Sequence, residues 1–359
     1  MEKLSGFLAP LIISALIFIL NALLPGRWLT GYINRPGSDE KMKYHLNGIL
    51  VFMAVVLIWF LSGYYKLIPF DWLYEFRWYG LAGACIFGII FTLALVLPYT
   101  PVKKSFISDL FLGRVENLQV VKGRVDIKMW LYLTGAIMLE LNVLSFAAHH
   151  ISIYGEMASA GFLLPAVLMT YFVVDYLIYE EVHLYTYDLF AEKIGFKLGW
   201  GCLVFYPYFY AMPLWATVEK PSALTPPWLL TLYVLIFLMG WMFSRGANLQ
   251  KYYFKTRPGQ RFLWIRPEAI TDGSQSLLVN GFWGMSRHIN YLGEILMASA
   301  IVLCTGYPAL FWSWLYPIYY VLLLFSRQVD DDRRCSLKYG DLWLQYRKKV
   351  PYRIIPYLY

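Results

Sequence analysis

The sequence predicts an all-α fold, a polytopic transmembrane helical bundle. Three observations predict it. The chain has 359 residues, of which 59% are hydrophobic and only 15% charged, whereas a soluble domain is typically about 25% charged. Its apolar residues form runs that are long enough to cross a bilayer as helices, for which about 20 residues are needed. Lys and Arg are concentrated in alternate loops between these runs, as cytoplasmic loops require.

The apolar runs follow one another through most of the chain. The first lies near residues 6–24. It is too long for the apolar part of a signal peptide and lacks a clear cleavage site, so we expect it to be a retained span. Further runs lie near residues 46–65, 79–98, 129–148, 161–180, 198–218, 227–244, 291–306 and 309–326. The two shortest come last and are expected to form a hairpin, which gives about nine spans.

The basic residues predict the orientation. Four of them, Lys3, Lys66, Arg77 and Lys220, fall on one side. Eighteen fall in the odd-numbered loops, namely Arg27, Arg35, Lys41, Lys43, Lys103, Lys104, Arg114, Lys122, Arg124, Lys128, Lys193, Lys197, Arg245, Lys251, Lys255, Arg257, Arg261 and Arg266. We therefore expect the odd loops and the basic tail in the cytoplasm, with the N-terminus outside.

Composition and missing motifs exclude several classes of site. The net charge of +8 is explained by cytoplasmic loops and not by nucleic-acid binding. The four cysteines have no CxxC or Cys/His spacing, so we predict neither a disulfide framework nor a metal site. No GxGxxG, Walker, HExxH or GxSxG motif is present. A dinucleotide would therefore be held in a non-Rossmann pocket.

The chain changes character near Arg245, where long polar, aromatic and basic stretches begin. We predict an N-terminal transmembrane bundle at residues 1–242. Residues 243–359 are predicted to be a transmembrane half with a pocket for a polar cosubstrate that enters from the cytoplasm.

Two basic and aromatic motifs in this half are candidate sites. In "FSRGANLQKYYFKTRPG", Lys251 and Lys255 are four residues apart and share a helix face. They could clamp phosphate, or they could simply meet anionic lipid. In "GFWGMSRHINYLGEI", polar groups precede an apolar run, where free helix N–H groups could bind phosphate and Trp283 and Tyr291 could stack on a heterocycle. The alternative is an interfacial anchor with a capping Asn290.

The tail and one apolar run hold further candidates. Asp331, Cys335 and Tyr339 recur every four residues on one helical face, although a solvated tail helix would carry the same charges. In "YFVVDYLIYEEVHLYTYD", we place Asp175 mid-span. An intramembrane carboxyl can be functional or a structural hydrogen bond between helices. Glu140 is interpreted as structural.

The last three motifs, in this order, resemble the sterol reductase family of membrane enzymes. The likeness also covers "LLPGR", "KYHLNG" and "DIKMW", and it is longest in "GFWGMSRHINYLGE" and "DDRRCSLKYGDLWLQYRKKVPYRIIPYLY". The family includes sterol C14, C7 and C24(28) reductases and the reductase part of the lamin B receptor. Its members have about ten spans, so we expect nine to ten here.

The resemblance implies reduction of a ring C=C bond of a sterol by protonation and hydride transfer from NADPH. The C14=C15 bond is preferred because the tail and "RHINYLGE" look most like C14 reductases. The family's cofactor contacts fall on Lys251, Lys255, Leu278, Trp283, Asn290, Tyr291, Arg327, Asp331, Cys335, Ser336, Leu337, Lys338, Tyr339 and Tyr346. Candidates for the proton donor are Asp331, Tyr346, Glu180, Tyr179 and Tyr176.

Other functions remain open. These are reduction of the C7 double bond, non-catalytic sterol binding, and S-adenosylmethionine-dependent methyl transfer of the isoprenylcysteine type, whose enzymes share an Arg-His-x-x-Tyr before a terminal hairpin. The expected partners are the lipid membrane and a sterol delivered by it. The membrane would be the endoplasmic reticulum in a eukaryote and the inner membrane in a bacterium.

Overall fold

The computed structural model describes residues 2–35, 37–101, 105–221 and 223–359. Lys103 and Lys104, which contribute to the predicted loop charge, lie outside these ranges. The chain forms two compact units, Met1–Ser222 and Ala223–Tyr359. The functional division expected between residues 242 and 243 was drawn from where the polar motifs begin, and it stays a prediction.

The first unit is built mainly of helices. They are α1 (Glu2–Leu23), α2 (Gly48–Tyr64), α3 (Trp72–Glu75), α4 (Arg77–Val96), α5 (Phe106–Leu112), α6 (Ile127–Tyr154), α7 (Ala160–Ile178), α8 (Glu180–His183), α9 (Tyr187–Phe190), α10 (Phe196–Trp200), a π-helix (Gly201–Phe209) and α11 (Met212–Trp215). The strands are β1 (Arg27–Asn34), β2 (Lys41–Leu46), β3 (Gln119–Val120) and β4 (Val125–Asp126).

The second unit holds the predicted site motifs. Its helices are α12 (Pro227–Thr256), α13 (Phe282–Met285), α14 (Ile289–Cys304), α15 (Leu315–Tyr339) and α16 (Asp341–Lys349). Its strands are β5 (Ala269–Thr271) and β6 (Ser276–Leu278).

The helical membrane prediction is confirmed in its main point. Within the described ranges, five helices are long and apolar enough to cross a bilayer: α1, α4, α6 with the turn after it, α7 and α12. Helices α2 and α14 are apolar but shorter. Long apolar runs are the feature that a sequence shows most directly. A backbone in lipid must satisfy its own hydrogen bonds, so such a run is expected to form a helix.

The structure differs from the predicted elements at three places. Six short strands pair as three antiparallel hairpins, β1–β2, β3–β4 and β5–β6, which a search for long apolar runs does not detect. The run at 198–218 is divided among α10, the π-helix and α11, since Pro207 and Pro213 lack the N–H that a continuous helix needs. Asp175 lies in the last turn of α7 and not at mid-span.

Helix α6 is the centre of the first unit. Its side chains are mostly buried, and Asp126 caps it by accepting the N–H of Lys128 at 3.1 Å. The buried Glu140 accepts a hydrogen bond from Thr170 of α7 at 2.9 Å. Asn142 donates to the Pro207 carbonyl of the π-helix at 2.8 Å. Both polar groups bond neighbouring segments, which agrees with the structural interpretation of Glu140.

A close helix crossing organises the second unit. A Cβ atom built on Gly293 of α14 would lie 2.4 Å from the Gly240 carbonyl oxygen and 2.5 Å from the Ser244 nitrogen of α12. Gly240 and Ser244 are four residues apart, a spacing of small residues that lets membrane helices approach closely. The crossing therefore brings the first turn of α14 beside the C-terminal part of α12.

We predict that Gly293→Ala destabilises the protein by about 1–3 kcal/mol, because the added methyl group overlaps backbone atoms that cannot move aside alone. The measurement is unfolding in mild detergent. The control is Gly201→Ala, since no atom lies within 4 Å of a Cβ built there. Equal stability of the two variants would contradict the close crossing.

Candidate active site

The C-terminal end of α12 places a lysine beside an aromatic ring. Lys251 and Lys255 occupy the last turns of α12, as their spacing predicts. The Lys251 ammonium lies 5.0 Å from the centre of the Trp283 ring. The Trp283 indole N–H donates to the Ala247 carbonyl at 2.7 Å. The indole is therefore fixed against the helix that carries the lysines.

The segment before α14 is held by the C-terminal tail. The amide of Arg287 donates to the Tyr352 carbonyl at 3.0 Å, and that of His288 donates to the Arg353 carbonyl at 2.8 Å. The Ser286 hydroxyl donates to the Ile354 carbonyl at 2.8 Å. We expected free amides for an anion here. These two are already used by the tail, so phosphate binding by them is not supported.

A histidine, a tyrosine and an aspartate meet at the start of α14. The His288 and Tyr291 rings stack with centroids 4.8 Å apart and planes 12° from parallel. The Tyr291 hydroxyl donates to Asp331 Oδ2 at 3.5 Å, the outer limit of a hydrogen bond. His288 Nδ1 lies 3.8 Å from the same oxygen. The structure thus brings Tyr291 and Asp331, both predicted site residues, together.

Burial and neighbouring cations keep His288 neutral. Desolvation, with the charges of Arg287, Lys251 and Arg353, lowers the pKa of His288 to about 3. At neutral pH the contact between His288 and Asp331 is therefore not an ion pair. The imidazole serves as a flat, neutral surface beside Tyr291.

Burial also shifts the titration of two groups on α15. It raises the pKa of Asp331, although the charges of Lys251 and Arg327 oppose the shift. It raises the pKa of the Cys335 thiol to about 12. Cys335 is therefore a neutral thiol at physiological pH, suited to packing and not to nucleophilic attack.

The tail returns aromatic side chains to the same place. Helix α15 ends at Gly340, whose φ of +51° lies in the left-handed region and lets the chain turn into α16. The buried Trp343 and Tyr346 rings stack 5.0 Å apart. The Tyr346 hydroxyl donates to the Trp283 carbonyl at 3.3 Å, and burial raises its pKa.

Not all predicted contacts lie in this group. Leu278 is buried in β6, whereas Leu337 is 80% exposed on α15. Ser336 and Lys338, on either side of Leu337, are also exposed. Tyr339 packs against the buried cluster of Trp343, Tyr346 and Val350. The described group of close contacts is therefore smaller than the full set predicted by resemblance.

Three proton-donor candidates lie in the first unit. Both carboxyl oxygens of the buried Glu180 lie 3.1 Å from the Gly48 amide, which donates to them. Desolvation raises the pKa of Glu180 to about 7. The Tyr176 ring lies 3.9 Å from the His183 ring, and Tyr179 is the C-cap residue that follows α7. Glu180 and Tyr176 thus contact different residues.

Some contributing residues were not predicted. The side-chain oxygen of Asn248, Oδ1, accepts a hydrogen bond from the Asn290 side-chain amide at 3.5 Å. The Gln250 side chain accepts the Phe282 amide at 3.0 Å. Asn248 and Gln250 both lie within the lysine motif. The sequence signal that could have identified them is that they are polar residues on the side of α12 that faces α14. The hydrogen bonds that the Tyr352 and Arg353 backbone carbonyls accept could not be found from the sequence, because they do not depend on which side chains these residues carry.

A group of possible metal ligands occurs outside this region. His149 Nδ1 lies 3.0 Å from Asp71 Oδ2 and 3.4 Å from Glu75 Oε1. No metal site was predicted from the sequence. These side chains lie at a partly exposed surface, and a hydrogen bond between His149 and Asp71 accounts for the shorter distance.

The second unit offers groups that a phosphorylated heterocyclic ligand needs. Lys251, Lys255 and Lys338 supply amino groups that can bind phosphate, and the aromatic rings supply flat surfaces. Among the described residues, Asn290 Oδ1 and Trp343 Nε1 are buried without a hydrogen-bond partner. An open acceptor and an open donor are what ligand hydroxyl and amide groups would fill.

Comparison with known proteins gives matches along nearly the whole chain. The family model described as "Ergosterol biosynthesis ERG4/ERG24 family" matches residues 6–359. A Delta(14)-sterol reductase of Arabidopsis thaliana is 30% identical over 354 residues, covering 95% of this chain and 92% of the relative. One of Methylotuvimicrobium alcaliphilum is 32% identical over 358 residues, covering 95% and 80%. A 7-dehydrocholesterol reductase of Xenopus laevis is 30% identical over 341 residues, covering 88% and 71%.

The neutral His288 predicts a pH dependence of stability. An unfolded histidine binds a proton below about pH 6.5, whereas folded His288 does not do so until about pH 3. The free energy of unfolding should therefore be fully present above pH 6.5 and fall as the pH drops, with His288 contributing about 1.4 kcal/mol per pH unit.

The variant His288→Gln should show a flatter loss between pH 6.5 and 4.5 than the original chain. Denaturant unfolding in mild detergent measures this. The difference between the two proteins at pH 7.5 gives the effect of lost packing and serves as the reference. A parallel loss in both proteins would show that His288 is not buried in its neutral form.

Proposed function

Because the chain belongs to the ergosterol biosynthesis ERG4/ERG24 family, we propose that it is an integral membrane Δ14-sterol reductase. It would be an oxidoreductase of sterol biosynthesis that uses NADPH to reduce the C14=C15 double bond. The observation that carries this proposal is the match of relatives with that name to 95% of the chain. The full-length match favours a reductase over a methyltransferase.

The second unit would hold the cofactor in a pocket without a Rossmann fold. Lys251, Lys255 and Lys338 would meet phosphate, while Trp283, Tyr291 and Tyr346 would pack on the rings. The full proposed contact set is Lys251, Lys255, Leu278, Trp283, Asn290, Tyr291, Arg327, Asp331, Cys335, Ser336, Leu337, Lys338, Tyr339 and Tyr346. When bound, NADPH supplies the hydride.

The substrate requires a proton donor in a dry site. An isolated alkene is not an electrophile, so a proton must be added to one carbon before hydride can reach the other. The acid must therefore be protonated near neutral pH, and water must be kept from the resulting cation. Asp331, Tyr346, Glu180, Tyr179 and Tyr176 stay candidates. Of these, Glu180 has a pKa of about 7, which suits a general acid best.

The arrangement in the membrane follows from the same proposal. A sterol would reach the protein through the bilayer, and NADPH would arrive from the cytoplasm, where the basic loops are expected. We propose nine to ten spans in all, with α2, α14 and α15 among those beyond the five long apolar helices. The membrane would be the endoplasmic reticulum or a bacterial inner membrane.

A second candidate is reduction of the C7 double bond. The Xenopus laevis relative named 7-dehydrocholesterol reductase aligns with 88% of the chain at 30% identity. This identity equals that of the Arabidopsis thaliana Delta(14)-sterol reductase. The two reactions need the same acid and cofactor, and they differ in which ring carbon is presented.

We predict that the purified protein oxidises NADPH in the presence of a Δ14 sterol and returns the saturated product. A panel of Δ14, Δ7 and Δ24(28) sterols, analysed by mass spectrometry, measures the preference. Preferred turnover of a Δ7 sterol would select the second candidate. No consumption with any member would indicate a sterol binder and contradict the reductase proposal.

Cofactor binding is tested with the variant Lys251→Gln, and the matched control variant is Lys220→Gln. Lys220 lies outside the proposed contact set, so its loss should leave the NADPH requirement unchanged. Loss of one charge-assisted phosphate contact, worth about 1.5–3 kcal/mol, should raise the Kd for NADPH about tenfold or more. Unchanged NADPH binding by Lys251→Gln would remove Lys251 from the contact set.

We also predict that turnover falls as the pH rises through about 7, because Glu180 loses its proton there. Glu180→Gln should lower kcat about 100-fold and remove this limb, while NADPH binding is retained. Glu116→Gln is the control, since Glu116 is an exposed carboxylate that pairs with Lys193 at 3.4 Å. If Glu180→Gln stays active and Asp331→Asn does not, Asp331 is the acid.

A further inference from the structure

A tight turn after α12 exposes two large apolar side chains. Phe262 and Ile265 exchange two backbone hydrogen bonds, from the Phe262 amide at 3.0 Å and from the Ile265 amide at 2.9 Å. Leu263 and Trp264 form the tip, where they are 61% and 80% exposed. Leu263 has a φ of +53°, a conformation that a bulky side chain adopts only under strain. Holding this pair in the exposed turn therefore costs conformational energy.

Arginines surround the exposed tip. Arg261 and Arg266 lie on either side of it, and both are exposed. In the part of the chain that the structure describes, neither has a carboxylate partner within salt-bridge distance. Arg257 is also exposed, and its guanidinium packs on Tyr253 at 4.4 Å. An exposed apolar tip flanked by two arginines is complementary to a surface that is negatively charged at its outside and apolar beneath.

The turn folds back along α12 toward the end of its apolar segment. Arg245 is the first charged residue of α12, so the apolar segment ends just before it. The Phe262 ring lies 5.5 Å from Tyr253 and 6.5 Å from Phe282. Phe282 in turn packs at Gly246, where an added Cβ would lie 2.5 Å from its ring. The Phe262 ring therefore lies between the levels of Gly246 and Tyr253, about 1.5–12 Å beyond Arg245 along the helix.

The neighbouring face of α12 is itself open to lipid. Only 17% of its apolar window is buried inside the chain. A bilayer has about 5–8 Å of headgroup region beyond each side of its hydrocarbon core. One or two helical turns beyond Arg245 cover a similar distance at 1.5 Å per residue. The levels that the Phe262 contacts allow include this headgroup depth, at which Trp and Arg are favourable together.

We propose that the turn at residues 262–265 is an interfacial anchor, which inserts Leu263 and Trp264 among the headgroups of an anionic leaflet while Arg261 and Arg266 bind lipid phosphate. The same turn lines one side of a small pocket with Gln250, Tyr253 and Leu278. Anchoring would hold that pocket wall against α12. The proposal needs only that α12 spans a membrane, so it stands or falls separately from the reductase proposal.

The test uses a spin label on the full chain in lipid nanodiscs. Cys85 and Cys335 are replaced by Ser to remove partly exposed thiols, and a cysteine is introduced by Trp264→Cys. The readout is the ratio of collision rates with oxygen, which dissolves in lipid, and with a water-soluble nickel chelate. Ser274→Cys, in the exposed turn of the β5–β6 hairpin, is the matched control position.

With phosphatidylglycerol in the nanodisc, we expect a ratio at position 264 at least about threefold above that at position 274. Arg261→Glu with Arg266→Glu should return the label to water, since each arginine favours an anionic surface by about fivefold. Lys348→Glu with Lys349→Glu makes the same charge change elsewhere and should have no effect. Equal ratios at positions 264 and 274 would overturn the proposal. So would a label shielded from both reagents, which would indicate a protein partner.

Discussion

The close crossing of α12 and α14 is the constraint on which the candidate site depends. Because Gly240 and Gly293 have no side chains, the two backbones approach closely enough for Asn290 to reach Asn248. The same approach sets the start of α14 one to three helical turns from the lysines of α12. A larger residue at either glycine would move the polar groups of α14 away from those of α12. The candidate site in the second unit therefore depends on the absence of a side chain at Gly240 and at Gly293.

Exclusion of water shifts the pKa values of this group of residues. His288 is neutral, Cys335 keeps its proton, and Asp331 has a raised pKa, each because burial penalises the charged form. Lys251 and Arg327 limit the effect on Asp331 by their charge. His288, which would be partly protonated in water near neutral pH, is thus held in its neutral form.

The sequence predicted those features that depend on side-chain spacing. The face shared by Lys251 and Lys255 follows from helix periodicity. The choice of Tyr291 and Asp331, which the structure places in contact, came from the family resemblance. Features that depend on backbone atoms could not be predicted. Tail carbonyls use amides that were expected to bind an anion, and nothing in the letters of Tyr352 or Arg353 indicates this. The apolar run at residues 198–218 likewise gave no indication that the Pro207 carbonyl accepts a hydrogen bond from Asn142.

The tail contact also sets an order of assembly. Ser286 and its hydrogen-bond partner Ile354 are 68 residues apart in the chain. At a synthesis rate of about 5–20 residues per second, the partner arrives several seconds after Ser286 has left the ribosome. During that interval the amides of Arg287 and His288 must be satisfied by water or lipid headgroups. The segment before α14 can therefore become dry only after α15 and α16 have been made, which places maturation of this region late in biogenesis.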